Sequence, residues 1–267
     1  MKKNRLREML KEGKPTLGAR LLSVWPGMVE IVGHTKVFDY VEFLEDDSTW
    51  DLYNLESFGR AVELFDMSSM IKVEQNCRAF ITQRALGSGI QNILFADIRN
   101  VEETRECVRI VRAESPTTNG INGACNRRNV GYYLEAGSLN YVKAMDEVVI
   151  ALMIEKKEAV DKLEEILSIE GIDMVNFGPV DFSMGLGYPG QRNHPEVKKA
   201  ELKTIKTALK MGIHPRVAIG SIDYNIEDLQ KYIELGVKDF IMPAEGKIVY
   251  EWLKKNGENI KNLLFSH

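Results

Sequence analysis

Eight short runs of apolar and β-branched residues recur along the chain with helix-period stretches between them, and this alternation constrains the fold more than any other feature. The runs are LGARLL, YVEFLE, SMIKVE, NILFAD, VVIALMIE, MVNFGPVD, RVAIGS and DFIMPAE. Stretches such as NLESFGRAVELF, NVEETRECVRIVR, AVDKLEEILSIEG and IEDLQKYIELGV carry apolar residues three and four apart, as one face of a helix does. Near-continuous apolar strands joined by helices make a parallel sheet covered on both faces. Eight such units in 267 residues fit a closed (β/α)8 TIM barrel better than an open doubly wound sheet. No linker or shift in composition divides the chain, so residues 1–267 read as one α/β domain.

Composition narrows the function. A formal net charge of -4 lacks the basic excess of a nucleic-acid surface, so no nucleic-acid partner is expected. Charges at Lys2, Arg5, Arg7 and Lys11 interrupt the start of the chain, which reads as a short amphipathic helix with Leu6, Met9 and Leu10 on one face rather than as a signal peptide. No apolar run reaches the ~18 residues that span a bilayer, so no membrane contact is expected. Cys77, Cys107 and Cys125 are far apart and lack metal-ligand spacing, which points to a reduced, cytoplasmic setting and buried, inert thiols. The four histidines, His34, His194, His214 and His267, show no ligand spacing either. GLGYPG, residues 185–190, matches a nucleotide-binding pattern by letter, but Pro189 and the lack of an immediate helix make it a flexible loop over the site.

A barrel carries its chemistry at the carboxyl ends of its strands. Here those ends supply Arg20, Glu45, Asp46, Asp47, Lys72, Glu74, Asp97, Glu155, Asp181, Ser221 and Glu245. Helix capping accounts for acids and serines at such positions one at a time. Glu155 and Asp181 are different as a pair, because they close the fifth and sixth strands, which are neighbours ~4.8 Å apart. Carboxylates converging there repel unless one takes up a proton or a cation lies between them. Two protein carboxylates, water and a chelating substrate would complete an octahedral Mg2+ or Mn2+ site. The connection from Glu114 to Tyr141 is also unusually long and rich in Gly, Asn and Arg, a length common in functional loops. Within it, Arg127 and Arg128 either bind a second substrate carboxylate, face solvent or make a subunit contact.

The stretch from Met153 to Val197, MIEKKEAVDKLEEILSIEGIDMVNFGPVDFSMGLGYPGQRNHPEV, resembles the core of the metal-dependent class II pyruvate aldolases of the 2,4-dihydroxyhept-2-ene-1,7-dioate (hydroxyketoacid) aldolase family. The resemblance runs from near Lys11 through the last strand and implies a phosphoenolpyruvate/pyruvate-type barrel. It implies that Glu155 and Asp181 hold a divalent metal, Mg or Mn. It also implies that the backbone of Gly178, Pro179, Val180 and Asp181 holds the pyruvate carboxylate.

The departures are equally specific. The family's D-x-E-H after the second strand is here Leu44 to Asp47, with Leu44 for the Asp and Asp47 for the catalytic His. The family's Arg at the third strand end is Lys72, and its Gln two residues before the metal Glu is Met153. Lys72 keeps a positive charge for an enolate but lacks the guanidinium fork, a role open to Arg20 from the first strand. Asp47 is either the base or part of a solvated acidic loop.

The resemblance implies a divalent-metal-dependent carbon–carbon lyase, an aldolase joining or parting a pyruvate enolate and an aldehyde. A related oxo-acid decarboxylase or tautomerase is the enzymatic alternative, and a non-catalytic oxo-acid-binding protein is the other. After the eighth strand, Ile248, Val249, Trp252, Leu253, Ile260, Leu263, Leu264 and Phe265 supply more apolar surface than one barrel face needs, with Gly257 a weak point for a change of direction. The resemblance implies a C-terminal helix exchanged between subunits of a homo-oligomer, a trimer or hexamer. An ordinary eighth helix packed on its own barrel is the simpler alternative.

Overall fold

The computed structural model describes residues 2–266, so Met1 and His267 lie outside the described residues. The chain opens with α1 (Arg5–Lys11) and then alternates β1 (Thr16–Leu21), α2 (Pro26–His34), β2 (Tyr40–Leu44), α3 (Leu52–Val62), β3 (Ser68–Val73), α4 (Arg78–Ser88), β4 (Asn92–Phe95) and α5 (Val101–Val111). It continues through α6 (Leu139–Asp146), β5 (Val149–Ile154), α7 (Lys157–Asp161), α8 (Leu163–Leu167), β6 (Met174–Phe177), α9 (Pro179–Gly185), α10 (Pro195–Met211), β7 (His214–Ala218), α11 (Ile226–Glu234), β8 (Asp239–Ala244) and α12 (Glu245–Phe265). The eight strands are all parallel and close in sequence order, β8 pairing with β1. The (β/α)8 barrel expected from the alternation is present.

Strand side chains alternate between the barrel interior and the surrounding helices. Tyr40, Met70, Leu94, Val149, Ala151, Met153, Met174 and Ile241 form the inner cluster, and Leu6 and Leu10 of α1 join it. The predicted N-terminal amphipathic helix is therefore a plug under the barrel, with Met9 only half-buried. Its polar residues tie it to strand starts. Asn4 donates to Asn92 Oδ1 at 2.8 Å, and Arg7 Nη2 reaches Asp173 Oδ2 at 2.7 Å and the Val148 carbonyl at 2.9 Å.

Several expectations are corrected. The sixth strand ends at Phe177, not at Asp181. The helix expected over 159–171 is two short helices, α7 and α8, joined at Lys162. The long connection links α5 to α6 at the amino end of β5, opposite the strand carboxyl ends. Arg127 Nη1 donates to the Gln83 carbonyl at 2.6 Å, and Arg128 bonds the Ser88 carbonyl at 3.0 Å and Glu63 Oε2 at 2.6 Å. Arg127 braces the middle of α4 and Arg128 the ends of α3 and α4, and neither reaches toward the carboxyl rim. Of the cysteines only Cys107 is buried, and Cys77 is exposed. α12 passes through Gly257 without a break and buries none of its residues. No helix among the described residues is long and apolar enough to cross a membrane.

Candidate active site

Glu155 follows the last residue of β5 and precedes α7, so it belongs to neither element. Six consecutive buried residues carry the chain into the barrel mouth, and parity with Ala151 and Met153 turns Glu155 inward. Its side chain is 4% exposed overall. Oε1 accepts the backbone N–H of Asp97 at 2.9 Å. Burial pushes its pKa up to about 7, against the opposing pull of that N–H and of Lys72, with Asp181 and Asp97 adding repulsion. Asp97 makes its bond from a left-handed backbone, φ 56°, which Asp tolerates better than most residues.

Asp181 arrives by a different route. Gly178 caps α9, Pro179 opens it, and Asp181 sits in its first turn, where proline fits and an acid is favoured by the helix dipole. A Cβ on Gly178 would lie 2.5 Å from Glu155 Oε2, so the glycine makes the space that the glutamate occupies. The Gly178 N–H donates to the Ile154 carbonyl at 3.0 Å, and Pro179 has no N–H. The segment therefore offers two free first-turn donors, those of Val180 and Asp181, rather than a continuous row.

Lys156 brings a basic group to the carboxylates of the site. Its Nζ is 2.5 Å from Asp97 Oδ1 and 3.6 Å from Asp181 Oδ1. Burial works against the ammonium, but the Asp97 carboxylate outweighs it and holds the Lys156 pKa above its usual value. No helical pattern marks a lysine beside a strand-end glutamate as inward or outward, so only the fold reveals this contact.

Lys72 points inward from β3, with its side chain 15% exposed and Nζ 2.5 Å from Asp46 Oδ2. Burial opposes its charge, and Asp46, Glu155 and Asp47 together raise its pKa. Asp46 is itself raised by burial, in spite of the ammonium beside it. Residues Glu45–Asp47 form one 3-10 turn that divides the acidic run. Glu45 is buried beneath it and accepts the Glu74 N–H at 3.5 Å, while Asp47 is exposed. Met153 is buried in the inner cluster, where its thioether packs and provides no strong hydrogen bond in place of the family's glutamine. Glu245 fixes the turn after β1 by accepting the N–H groups of Leu22 and Ser23 at 2.7 and 2.8 Å.

Arg20 is not free to face a substrate with its whole fork. Its Nε lies 3.1 Å from Glu42 Oε1. Glu42 is completely buried and is also 2.5 Å from Arg216 Nη1 of β7. Arg216 in turn bonds Asn176 Oδ1 and the Tyr40 hydroxyl, both at 3.2 Å. Burial opposes the Glu42 charge, but Arg216 and Arg20 outweigh it and hold the carboxyl below its usual pKa. This layer beneath the site was not anticipated. Its signal lies in YVEFLE and HPRVAIG, where single opposite charges occupy inward parity within otherwise apolar strands.

Glu155 and Asp181 together present hard carboxylate oxygens, a donor set suited to Mg2+ or Mn2+. Among the described residues no cluster of three or more His, Cys, Asp or Glu side chains could hold a metal, so these two would have to share it with water and substrate.

A family model described as HpcH/HpaI aldolase/citrate lyase matches residues 26–249. A pyruvate aldolase of Rhizobium etli is 30% identical over 203 residues, covering 74% of this chain and 75% of its own. A hydroxypyruvate/pyruvate aldolase of Sagittula stellata is 27% identical over 79% of this chain and 81% of its own. A 4-hydroxy-2-oxo-heptane-1,7-dioate aldolase of Escherichia coli is 27% identical over 87% of this chain and 86% of its own. The crystal structure of an HpcH/HpaI aldolase from Desulfitobacterium hafniense superposes with a TM-score of 0.85 at 22% identity, covering 97% of both chains.

Proposed function

Because the chain belongs to the HpcH/HpaI aldolase/citrate lyase family, we propose that it is a divalent-metal-dependent aldolase that forms or cleaves the bond between a pyruvate-type enolate and an aldehyde. The observation that carries this reading is Glu155. A carboxylate so deeply buried at the barrel mouth, with Asp181 close enough to repel it, is suited to sharing a cation. The space left by Gly178 lets the Glu155 carboxylate take this position.

In this reading Glu155 and Asp181 hold Mg2+ or Mn2+. The bound metal would supply Lewis-acid polarisation of the carboxylate and ketone of the 2-oxo acid. The remaining roles belong to the chain. The N–H groups of Val180 and Asp181 hold the substrate carboxylate at the opening of α9, where the helix dipole favours an anion. Lys72 sets a positive charge beside the ketone oxygen as negative charge develops there. Asp47 takes the methyl proton. The carbon nucleophile then attacks the aldehyde carbonyl carbon as its C=O π bond opens, and the resulting alkoxide takes back the proton held by Asp47; cleavage runs the same steps backward. Arg20, held by Glu42, keeps the upper part of the inner charge layer in place and adds positive potential below the site.

Metal-dependent exchange of pyruvate methyl protons for deuterium, followed by NMR, tests this without knowledge of the aldehyde. Exchange that disappears in Asp181→Ala along with metal binding supports the assignment. Pyruvate binding with no exchange would favour the non-catalytic binding protein. The substituted positions make that a real alternative, since Asp47 is exposed and Lys72 is engaged by Asp46.

We also propose a homo-oligomer, a trimer or hexamer, in which α12 packs on a neighbouring barrel. Trp252, Leu253, Leu263, Leu264 and Phe265 are each more than half exposed on this helix. The three cysteines are unpaired, which supports a reducing, cytoplasmic setting.

A further inference from the structure

Lys156 places a monovalent cation at a site whose carboxylates suit a divalent one. Its ammonium is shared unequally, 2.5 Å from Asp97 Oδ1 and 3.6 Å from Asp181 Oδ1. The side chain is 17% exposed, so water screens these charges only in part. Asp97 therefore acts twice. Its main chain fixes Glu155 through the 2.9 Å hydrogen bond, and its side chain draws the ammonium away from Asp181. The two jobs are tied together by one backbone conformation, because the left-handed turn at Asp97 sets both the N–H and the carboxylate direction.

Resting on the reading of Glu155 and Asp181 as metal ligands, we infer that Lys156 is an internal competitor for the divalent cation at Asp181 and that Asp97 is the positioning residue that holds it aside. A divalent cation on Asp181 and the ammonium repel one another at this separation, so binding requires the ammonium to rest on Asp97 alone. The Asp97–Lys156 pair then sets metal affinity without ligating the metal. Removing the ammonium strengthens binding. Removing only the Asp97 charge weakens it, because the lysine is left with Asp181 as its remaining ion-pair partner, beside the Glu155 carboxylate that also attracts it.

The sign of the two effects and their combination separate this from a merely structural role. Binding of Mn2+ to the full chain, without substrate, is measured by calorimetry for the parent, Lys156→Met, Lys156→Gln, Asp97→Asn and the double variant Asp97→Asn/Lys156→Met. Asparagine tolerates the left-handed backbone and keeps the N–H to Glu155, and the glutamine variant serves if the methionine one misfolds. Lys156→Met is expected to bind roughly tenfold more tightly and Asp97→Asn roughly tenfold more weakly, by removal or closer approach of one partly screened like charge. The double variant is expected to bind at least as tightly as the parent, since no ammonium remains to be misplaced. Parent-like affinity in both lysine variants overturns the inference while leaving the metal site intact. A double variant as weak as Asp97→Asn overturns it as well, since Asp97 would then act by itself. Absence of binding in every form overturns both this inference and the assignment of the ligands. Binding that emerges only when Lys156 is replaced supports the inference and shows the parent's site held by its own lysine.

Discussion

Gly178 and Glu155 are packed so closely that a methyl group on the glycine would fall 2.5 Å from Glu155 Oε2 and 2.7 Å from its Cβ, although the two residues belong to different strand-to-helix turns. The absence of a side chain at 178 is what allows a full carboxylate at the mouth of β5. Gly178→Ala must push Glu155 out of this position. The expected result is a loss of roughly tenfold or more in Mn2+ affinity by calorimetry with circular dichroism unchanged, since misplacing a ligand reduces binding on that scale. Parent-like affinity would mean that Glu155 is not a ligand.

The burial of Glu155 has a pH signature in the metal-free protein. Its pKa is raised from 4.5 to about 7, so the folded chain binds more protons than the unfolded chain between those values. This contribution is fully present below pH 4.5 and is lost as pH rises through about 7, up to about 3 kcal/mol in all. Glu45 and Asp46 are shifted in the same direction. Urea midpoints between pH 5 and 8 should therefore fall with pH in the parent and fall less in Glu155→Gln. Saturating Mg2+ should oppose the decline, because it binds the ionised carboxylate of the folded state.

The Glu42–Arg216 pair makes a stability prediction independent of function. Both side chains are completely buried, and Arg20 adds a second cation. Removing one partner strands a charge in the barrel interior, so Glu42→Gln should destabilise the fold by about 3 to 5 kcal/mol. Glu42→Leu combined with Arg216→Met should be less damaging than the sum of the single changes. A double-mutant cycle in chemical denaturation reads the coupling, and simple additivity would mean that the pair is not formed.

At the mouth, Asp47→Asn should reduce the rate of pyruvate proton exchange by about 100-fold or more while leaving pyruvate affinity near the parent value, the pattern of a lost proton acceptor. Lys72→Met should weaken both, because it removes positive charge from ground state and transition state alike. Saturation kinetics of deuterium exchange separate the two. Full exchange in Asp47→Asn would exclude this carboxylate as the base.

Ending the chain at Asn256 removes the half of α12 that carries Ile260, Leu263, Leu264 and Phe265, all exposed on the single chain. If these residues pack on a neighbouring barrel, light scattering should give an oligomer for the full chain and a smaller or unfolded species for the shortened one. A well-folded full-length monomer at micromolar concentration would rule out the exchanged helix.

The barrel was legible in the sequence because its causes are local and repeated. Apolar runs of strand length, helix-period faces and eight repetitions leave little else for a parallel sheet to do. Glu155 was legible for a related reason: an acid ending a run as apolar as VVIALMI is conspicuous, and the alternation gives its direction. Asp181 was legible as a neighbour of Glu155 but not as a helix residue, since the apolar letters of MVNFGP run past the point where Gly178 and Pro179 turn the backbone.

Other relationships depend on distances between segments far apart in the chain, and the alternation does not encode them. Arg20, Glu42 and Arg216 meet because barrel closure brings β1, β2 and β7 to one interior layer. Lys72 finds Asp46, and Lys156 finds Asp97 and Asp181, only once strand register and turn geometry are set. The long connection resembled an active-site loop by length alone, yet the handed β-to-α order puts it at the opposite end of the barrel, where its arginines brace α3 and α4. Local periodicity determines which residues point inward, because it follows from backbone geometry. Which charges become partners is decided by tertiary structure, because electrostatic and hydrogen-bond energies depend on separations of a few ångströms that only the closed barrel establishes.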